Sequence, residues 1–474
     1  MLSHFLSKLS TFSDLTSVLL RLDSFLSVML EKDRGNDDIS VFEESLWSYL
    51  MEIGCAAMKE KMKKYDREDE NLSIGGVEYK KAYASSRTFQ TSFGKVRILR
   101  HLYSESADSP SVSPMERQLG LIKAWTPHAA KIAVWFTGHL PHRMVAKGLK
   151  MIGMMEPSGS SIQKLILDFG RNWEEHRLEH EEALRREIEI PTKAVLVAVS
   201  LDGVTVPMKT GKKKEKNRAQ RKAGKKTSGP CGYKEASCAT ITFYDKEGKR
   251  LWTQKRARMP EPGKKTLKAS LRADLKQIIE HRPDLKVVGL ADGAKDNWTF
   301  LRSLSPLLEE DIIQTLDFYH ACGHLYKVAE VAFPINEKKR MRWFHKYKIK
   351  LKSSPKKVIR AIRYRYKLHP NNESLRKELG YFRNNWKRMN YQEALAAKRP
   401  IGSGVVEAAC KTLVSQRLKC SGMRWTILGG QAILTIRSLQ QSQFFEKGWS
   451  LFIKPFQQKV ERSNYDCKGE HMVA

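Results

Sequence analysis

The sequence is short of paired cysteines, long apolar runs and acidic residues. Its seven cysteines never form a Cys-x-x-Cys pair, which disfavours a disulfide framework and predicts reduced thiols, as in the cytoplasm. No apolar run is long enough to cross a membrane, and charged residues such as Lys8 and Asp14 interrupt the Leu-rich start. These absences predict a chain with no membrane span and no signal peptide.

Acidic residues are the scarcer charged type. The 474 residues include 85 Lys or Arg against 52 Asp or Glu, so the formal net charge is +33. A charge of this size predicts a polyanionic partner, and nucleic acid is the obvious one. A chain of this length can bury a large core and is expected to fold as about two to four domains.

The basic charge is concentrated in residues 327–399, which hold 22 Lys or Arg against five Glu. We predict that this segment is a basic helical insertion that tracks the DNA backbone. Aromatic residues recur in it at helical spacings, and they either stack on unpaired bases or form the core of a helical subdomain. These aromatic residues are Trp343, Phe344, Tyr347, Tyr364 and Tyr366.

Turn residues and periodicity divide the first 190 residues into three regions. Residues 1–70 are predicted to be helical, 71–120 to form a small β element around a hairpin, and 121–190 to be helical again. Thr126 and Pro127 provide an N-cap and a first helical residue in the third region. The small β element and the third region are the predicted DNA-binding parts.

A short break at 156–159 separates two predicted helices of the third region. This arrangement is typical of a helix-turn-helix, in which the second helix offers Ser161, Gln163 and Lys164 to a DNA groove. A plain helical hairpin that packs in a bundle explains the pattern equally well. The charged stretch 174–189 that follows is expected to be an exposed helical connector.

Residues 191–326 change to a strand-rich pattern and form the first part of the predicted catalytic core. Three β-rich runs come first, the last two joined by a hairpin turn, and then helices alternate with strands. Only a helical crossover joins parallel strands so compactly, so this order predicts an α/β fold with a mixed five-stranded sheet, typical of a ribonuclease H-like domain. The predicted strands are 194–201, 236–244, 250–258, 286–290 and 312–316, and the predicted helices are 265–280 and 295–308.

Two carboxylates stand where apolar runs end: Asp202 and Asp292, each followed by glycine. In the predicted sheet the first and fourth strands are neighbours, so these side chains start roughly 5 Å apart and can share a divalent cation. Asp317, one strand further out at roughly 10 Å, is less able to bridge the same ion, and Asp296 falls inside a helix. An Asp-Gly pair after a strand is also an ordinary turn signal.

A third carboxylate, Glu407, falls in the first turns of a core helix predicted within 400–440, ahead of a C-terminal tail at 441–474. The Gly-Ser-Gly entrance and two small alanines permit close approach of this helix to the sheet. With Asp202 and Asp292 it completes a set suited to phosphoryl transfer, because two divalent cations can clamp the attacking and leaving oxygens of a phosphodiester. On local grounds alone, an early glutamate usually serves the helix dipole.

A run of lysine and arginine at 208–226 interrupts the first two predicted strands. It is too charged to pack in a core and is predicted to be a disordered loop over the carboxylate side of the sheet, available to phosphate groups. The alternative is a solubilising loop with no further role.

Five short segments carry a family resemblance. They read Pro-Ile-Gly-Ser-Gly-Val-Val-Glu-Ala-Ala-Cys-Lys at 400–411, Ser-Gly-Met-Arg-Trp at 421–425, Gly-Gly-Gln-Ala at 429–432, Ala-Asp-Gly-Ala-Lys-Asp-Asn-Trp at 291–298 and Leu-Asp-Phe-Tyr-His at 316–320. Together they closely resemble the ISKra-type insertion-sequence transposases, over roughly residues 75–455. Members of that family are DDE transposases with a ribonuclease H-like core interrupted by a helical insertion, and the 115 residues from Asp292 to Glu407 leave room for one.

The resemblance implies a DDE transposase of a bacterial insertion sequence, with Asp202, Asp292 and Glu407 as catalytic residues and metal ligands. The implied cofactor is Mg²⁺ or Mn²⁺, the ions that hard oxygen ligands favour. The implied partners are double-stranded DNA of the element ends and of the target, bound by a homo-oligomer in the bacterial cytoplasm. The alternatives are a non-catalytic DNA-binding protein derived from a transposase, and a ribonuclease H-like nuclease without strand transfer.

Several other side chains have secondary roles in this prediction. Asp317 and His320 match an accessory Asp-x-x-His motif of related transposases. His320 and His324 stand four apart on one helical face, a geometry that can bind zinc, although packing explains it better. Relatives carry a zinc ribbon after the tyrosine that matches Tyr103, and this chain lacks its cysteines, so no zinc is expected there. The candidates for holding DNA beside the metals, with surface charge and packing as the alternative, are Lys411, Arg417, Lys419, Arg424 and Trp425.

Overall fold

The computed structural model describes residues 12–31, 39–211, 213–224 and 229–463. Within these residues the chain is mixed α/β and forms two compact units. The first unit contains the residues up to Trp173 together with those from Glu446 on, and the second runs from Glu174 to Phe445. No helix in the described residues is both long and apolar enough to cross a membrane.

The first unit combines a helical start with a small antiparallel sheet, as the sequence predicts. Alternate residues along one hairpin strand are buried, because successive side chains of a strand point to opposite faces. Val96 and Ile98 of that strand pack with Phe89 and with Met62 of a helix. The elements are α1 (Ser13–Glu31), α2 (Ile39–Lys63), β1 (Asn71–Ile74), β2 (Val77–Gln90) and β3 (Lys95–Ser104).

The C-terminal segment returns to this sheet. A short strand, β9 (Val460–Arg462), pairs antiparallel with β1, so the strand order is β3-β2-β1-β9. The expected tail at 441–474 thus contributes a strand, which the sequence could not signal because three residues are too few to show a period of two. The other elements of this part of the chain are α3 (Pro114–Gln118), α4 (Pro127–Thr137), α5 (His142–Gly153), α6 (Gly159–Glu175) and α19 (Phe445–Ile453).

The second unit is built on a five-stranded mixed sheet. Its strands are β4 (Leu196–Met208), β5 (Gly232–Tyr244), β6 (Arg250–Arg258), β7 (Lys286–Ala291) and β8 (Ile313–Leu316). They lie in the order β6-β5-β4-β7-β8. The pairs β6/β5 and β5/β4 are antiparallel, whereas β4/β7 and β7/β8 are parallel. The predicted mixed sheet, with three antiparallel strands followed by two parallel ones, is confirmed.

Helices connect and cover this sheet. α9 (Lys265–His281) and α10 (Lys295–Arg302) are the crossovers that make β7 and β8 parallel. A single core joins the sheet to the later helices, with Val199, Leu271 and Phe382 among its buried members. The remaining helices are α7 (Arg177–Arg186), α8 (Lys214–Lys222), α11 (Phe318–Ala332), α12 (Glu337–Ser353), α13 (Pro355–Leu368), α14 (Glu373–Asn385), α15 (Tyr391–Ala396), α16 (Gly404–Ala409), α17 (Gln416–Leu418) and α18 (Ile427–Gln441).

The basic segment 327–399 is helical, as predicted. Of its aromatic residues, Trp343 is buried, and three others are partly buried against the core. Tyr364 is 58% exposed. Most of these rings therefore form the core of the helical segment, and the lysines and arginines line its surface. The three partly buried rings are Phe344, Tyr347 and Tyr366.

The stretch 208–226 differs from the disordered loop that its charge predicts. β4 continues to Met208, and most of the described residues after it form α8. Asn217 of this helix is buried, and its amide lies 3.6 Å from Sγ of Cys231. The helix therefore packs by one face while its basic side chains are exposed.

The charged stretch 174–189 is largely helical, as predicted, but it is only partly exposed, because one face of it packs. Glu181 is buried and accepts a hydrogen bond from the Ser270 hydroxyl at 2.7 Å. Beside it, Arg256 donates to both carboxylate oxygens of the buried Asp274. Desolvation raises the pKa of Asp274, whereas the Arg256 charge opposes this. Charges that suggest a solvated helix are here compensated in pairs, a tertiary arrangement that the local sequence does not show.

Candidate active site

Asp202 and Asp292 lie at equivalent places on two neighbouring parallel strands. Ser200 of β4 pairs with Leu290 of β7, and each aspartate follows two residues later. Asp292 directly follows β7, as predicted. Asp202 lies within β4. The pairing of β4 with β7 ends at Ser200, but β4 continues to pair with β5, where Asp202 is opposite Cys238. The predicted strand end at 201 is therefore wrong, yet the two carboxylates still start from adjacent strands.

The glycines that follow these aspartates serve different purposes. Gly203 lies inside β4, and a Cβ there would approach the Glu235 carboxylate to 2.3 Å. Gly293 has a φ of +112°, which side chains rarely adopt, and a Cβ there would lie 2.8 Å from the Tyr381 ring. Only the second Asp-Gly pair is a turn, whereas the first reflects the close approach of a side chain to the strand.

The surroundings of the Asp202 carboxyl disfavour its ionisation. Desolvation raises its pKa above the ordinary value, and the nearby charge of Asp292 adds to this effect. The Gly203 amide, which donates to Oδ1 at 2.7 Å, and the Lys264 charge offset the rise only partly. Lys264 is itself paired with Glu235 at 3.0 Å. The aspartate pair therefore carries incompletely compensated negative charge.

Asn297 links the ends of the two strands. It is buried in the first turn of α10. Its amide nitrogen lies 3.4 Å from the Leu201 carbonyl oxygen and 3.5 Å from Oδ1 of Asp292. The same Oδ1 accepts the Ala294 backbone N–H at 3.1 Å. These contacts hold the Asp292 side chain beside β4.

Glu407 lies on α16, and its side chain is exposed. Its Oε1 accepts a hydrogen bond from the Ser403 hydroxyl at 3.2 Å. Cys410 stands three residues later, on the same helical face, and its Sγ is 3.7 Å from Oδ2 of Asp202. A hydrogen bond with Cys238, burial and the Asp202 charge raise the pKa of Cys410, so this thiol remains a donor. The face of the helix that carries Glu407 thus meets β4 at Asp202.

The helix that carries Glu407 changes its hydrogen-bond pattern directly after α16. Residues Cys410–Ser415 form a π-helix, a wide turn that occurs frequently at functional sites. The buried Arg437 of α18 donates to the carbonyl oxygens of Leu413, at 2.8 Å, and of Thr412. The wide turn is therefore held by a second helix.

Asp317 directly follows β8, and its side chain is completely buried. One carboxylate oxygen accepts the backbone N–H of His320 and caps α11, while the other accepts the backbone N–H of Ser403. Both oxygens are thus engaged by the protein itself. Asp317 fixes the entrance of the helix that carries Glu407, and this geometry favours Asp292 over Asp317 as the second metal ligand.

The histidine pair belongs to a packed polar network beside Asp292. Nε2 of His320 and Nε2 of His324 are 3.2 Å apart, and Nδ1 of His324 is 2.6 Å from Oε2 of Glu378. The His324 ring stacks on Tyr381 at 3.7 Å. Burial, followed by the charge of Asp292, raises the pKa of Tyr381, so its hydroxyl stays protonated and donates to the Asp292 carbonyl at 2.9 Å. His324 thus packs against Tyr381 and Glu378, whereas His320 is exposed.

Two of the predicted DNA contacts are buried. Arg417 is 1% exposed, its guanidinium lies 5.3 Å from the Trp425 ring centre, and desolvation lowers its pKa to about 10. Trp425 is 8% exposed and donates its indole N–H to the Leu418 carbonyl at 2.9 Å. The prediction that these two side chains hold DNA is therefore wrong, because both pack inside the protein.

The other predicted contacts of this region remain accessible. Lys411 and Lys419 are exposed. Arg424 is partly exposed and donates to the Gly229 carbonyl at 3.3 Å. These three side chains stay candidates for DNA contact.

The predicted helix-turn-helix residues lie in the first unit. α5 ends at Gly153, with Met154 in the left-handed conformation, and α6 begins at Gly159. Near the start of α6, Ser161 is half-buried, while Gln163 and Lys164 are exposed. Their contact with a DNA groove stays a prediction.

The preformed part of the site is a pair of carboxylates. Across the described ranges, no three His, Cys, Asp or Glu side chains form a group that could hold a metal ion. Asp202 and Asp292 fit a divalent cation, because both are hard oxygen ligands and positive charge would relieve their repulsion. Glu407 is bonded to Ser403 and stands outside this pair.

Comparison with known proteins gives this site no assignment. No family model matches the chain. No curated protein matches it either. The geometry of the side chains and the sequence resemblance are therefore the basis for a functional proposal.

The sequence prediction did not include three residues of the site: Cys410, Asn297 and Tyr381. The position of Cys410 could have been predicted, since it follows Glu407 by one helical turn. The position of Asn297 could also have been predicted, because this residue lies in the first turn of the helix after Asp292. The position of Tyr381 could not, because 89 residues separate it from the backbone oxygen that it contacts.

The raised pKa of Asp202 predicts a stability difference that depends on pH. At neutral pH the desolvated carboxylate destabilises the metal-free fold, so we expect Asp202→Asn to have a higher free energy of unfolding than the wild type. As the pH falls through the raised folded pKa towards the ordinary value of 3.8, Asp202 takes up its proton in the native state first, and the difference should shrink. Urea unfolding with EDTA between neutral and acidic pH measures it. A constant difference would contradict the electrostatic account.

Proposed function

We propose that the chain is a DDE transposase of a bacterial insertion sequence, with a ribonuclease H-like catalytic unit that cleaves element ends and joins them to target DNA. The observation that carries this proposal is the position of Asp202 and Asp292 on the two neighbouring central strands, β4 and β7. The β6-β5-β4-β7-β8 order supports the fold part of the proposal. The resemblance of the Glu407 segment to the ISKra-type transposases supports the family.

In this proposal Asp202 and Asp292 would hold Mg²⁺ or Mn²⁺ between them, and Glu407 would complete the set. When bound, these ions activate the attacking oxygen and stabilise the leaving oxygen of a phosphodiester. The Glu407 side chain is exposed, and its hydrogen-bond partner among the described residues is the Ser403 hydroxyl, a contact that a change of rotamer would release. Cys410 stays a thiol and orients the Asp202 carboxylate.

The charge of the chain supports DNA as the substrate. The formal charge of +33 exceeds what solubility needs. Within the second unit, α8 follows the end of β4 beyond Asp202 and exposes basic side chains. The helical segment 327–399 adds 22 Lys or Arg. Basic side chains thus follow the strand that carries Asp202 and also occur in the helical segment whose Tyr381 contacts the Asp292 backbone, which suits binding of a DNA backbone. Because two ends must be cut, we propose that the active form is a homo-oligomer on DNA.

The test is cleavage of labelled duplexes that carry the DNA flanking the coding segment. We expect strand cleavage that requires Mg²⁺ or Mn²⁺ and stops when EDTA is added. Binding without cleavage at any metal concentration would favour the non-catalytic DNA-binding alternative. Cleavage that continues undiminished in EDTA would contradict the carboxylate site.

A further inference from the structure

The first unit carries an exposed apolar surface that three segments build. They are the middle of α2, the turn that joins β2 to β3, and the end of α5. Each segment contributes large apolar side chains that are exposed, and Met151 is 82% exposed. We call this set the apolar patch, and its members are Trp47, Leu50, Phe93, Met151, Ile152 and Met154.

Close contacts at two glycines show that the three segments meet. A Cβ at Gly54 of α2 would overlap the Phe93 ring, so this ring packs directly on the helix. A Cβ at Gly94 would lie 3.0 Å from Sγ of Cys55 and 3.7 Å from the Met154 carbonyl oxygen. The turn therefore touches both α2 and the end of α5, and the patch is one surface instead of scattered side chains.

The apolar patch is large enough to form the centre of a protein interface. Leu50 and Trp47 stand four and seven residues before Gly54, which places them on the same face of α2 as the Phe93 contact. The six side chains expose on the order of 500 Å² together, near the upper end for the largest apolar patch of a monomer. A stable interface buries about 800 Å² per partner, so the patch and a polar rim meet this requirement.

Charges of opposite sign flank the patch on two different helices. Glu43 and Glu44 lie about one turn before Trp47 on α2, whereas Arg143 and Lys147 lie further towards the start of α5 than the patch does. All four charged side chains are exposed, and none forms an ion pair with a described residue, unlike others in this unit. A surface that carries both signs can be complementary to itself, because a two-fold axis brings different residues of the two copies together.

We propose that the apolar patch binds the same patch of a second copy and forms a two-fold dimer that exists without DNA. In this dimer α2 of one copy lies over α5 of the other, so Glu43 and Glu44 face Arg143 and Lys147 on both sides of the axis. Burial of the apolar side chains stabilises the dimer, and the flanking charges select its orientation. The inference rests on the proposed function for the purpose of the dimer, which is to hold two element ends.

The first test measures molecular mass by analytical ultracentrifugation, with nuclease-treated protein in EDTA and no DNA. We expect the wild type to be a dimer at micromolar concentration. Met151→Asp should weaken this dimer by about 100-fold or more, because it places two charges in the apolar centre. Leu99→Asp is the matched control and should dimerise as the wild type does. Leu99 is exposed on the face of β3 opposite to Val96 and Ile98, which pack with α2.

The second test reverses the flanking charges. One variant combines Glu43→Lys with Glu44→Lys, and the other combines Arg143→Glu with Lys147→Glu. Each alone places like charges opposite each other on both sides of the axis, so its dimer should be about ten-fold weaker. An equal mixture should form a mixed dimer with the wild-type affinity, because every facing pair is then of opposite sign.

Three results would overturn the interface: a wild type that stays monomeric, a dimer that a folded Met151→Asp leaves unchanged, and a monomer that dimerises once residues 2–11 are removed. In the last case the start of the chain itself would cover the patch. If circular dichroism shows that Met151→Asp is unfolded, the mixture decides, and a mixture no tighter than its components overturns the interface. A dimer without metal-dependent cleavage would contradict the proposed function and leave the interface standing, whereas cleavage by a monomeric wild type would do the reverse.

Discussion

Asp202→Asn, Asp292→Asn and Glu407→Gln are each expected to reduce strand cleavage by about a thousand-fold or more, which corresponds to roughly 4 kcal/mol in the barrier. Each change removes the charge of a proposed metal ligand and keeps the shape of the side chain. Affinity for the same DNA should change little, because the basic surfaces that neutralise phosphates are untouched. Rates from labelled duplexes and dissociation constants in EDTA measure the two quantities.

Asp296→Asn is the matched control for these variants. Asp296 lies in the first turn of α10, four residues after Asp292, and its carboxylate is exposed and paired with Lys268. We expect this variant to cleave at nearly the wild-type rate, since an exposed ion pair contributes little. If Asp292→Asn kept more than about a tenth of the wild-type rate, a loss of less than roughly 1.4 kcal/mol, Asp292 would not be a metal ligand.

Asp317→Asn is expected to reduce cleavage by about ten- to a hundred-fold, although Asp317 binds no metal in this account. An asparagine offers one acceptor oxygen where the aspartate offers two, so its NH₂ group must face the backbone N–H of His320 or Ser403. The entrance of the helix that carries Glu407 should shift, and a higher metal concentration should be needed for half-maximal cleavage. The unmatched donors should also cost about 1–3 kcal/mol in the free energy of unfolding.

The metal concentration needed for half-maximal cleavage distinguishes a positioning role of Asp317 from a general loss of stability. Ile278→Val, in the buried core of the same unit, should cost about 0.5–1.5 kcal/mol in stability and leave the metal requirement unchanged. If Asp317→Asn lowered stability like this control and kept the wild-type metal requirement, Asp317 would be a structural residue only. If Asp317→Asn were as inactive as Asp202→Asn and lost bound Mn²⁺, Asp317 would be a ligand instead.

The sheet of the second unit was predictable because each strand has a strong local signal. Runs such as 194–201 and 286–290 are almost wholly apolar, and the helices between the later strands force a parallel arrangement. The continuation of β4 to Met208 had no such signal. Its later residues are ordered by pairing with β5, from Gly203 opposite Ser237 to Met208 opposite Gly232. Partners about 25 to 35 residues away determine that part of the strand.

The positions of the aspartates followed from the same local signals, but the surroundings that set their chemistry did not. The Asp202 pKa depends on Asp292, Cys410 and Lys264, which are far apart in the sequence. Arg417 and Trp425 look like DNA contacts in the sequence because one is basic and the other aromatic. Their burial depends on how the chain after α16 packs, which composition does not reveal.

In the proposed function, this carboxylate site both cuts DNA and joins it. The direct measurement incubates a labelled duplex end with a supercoiled plasmid and Mg²⁺, and compares the wild type with Asp202→Asn. We predict that the wild type joins the labelled 3′ end covalently to the plasmid and that Asp202→Asn gives no joined product. Cleavage or nicking without any joined product would identify a nuclease, and joined product at the wild-type level in Asp202→Asn would contradict the assignment of the site.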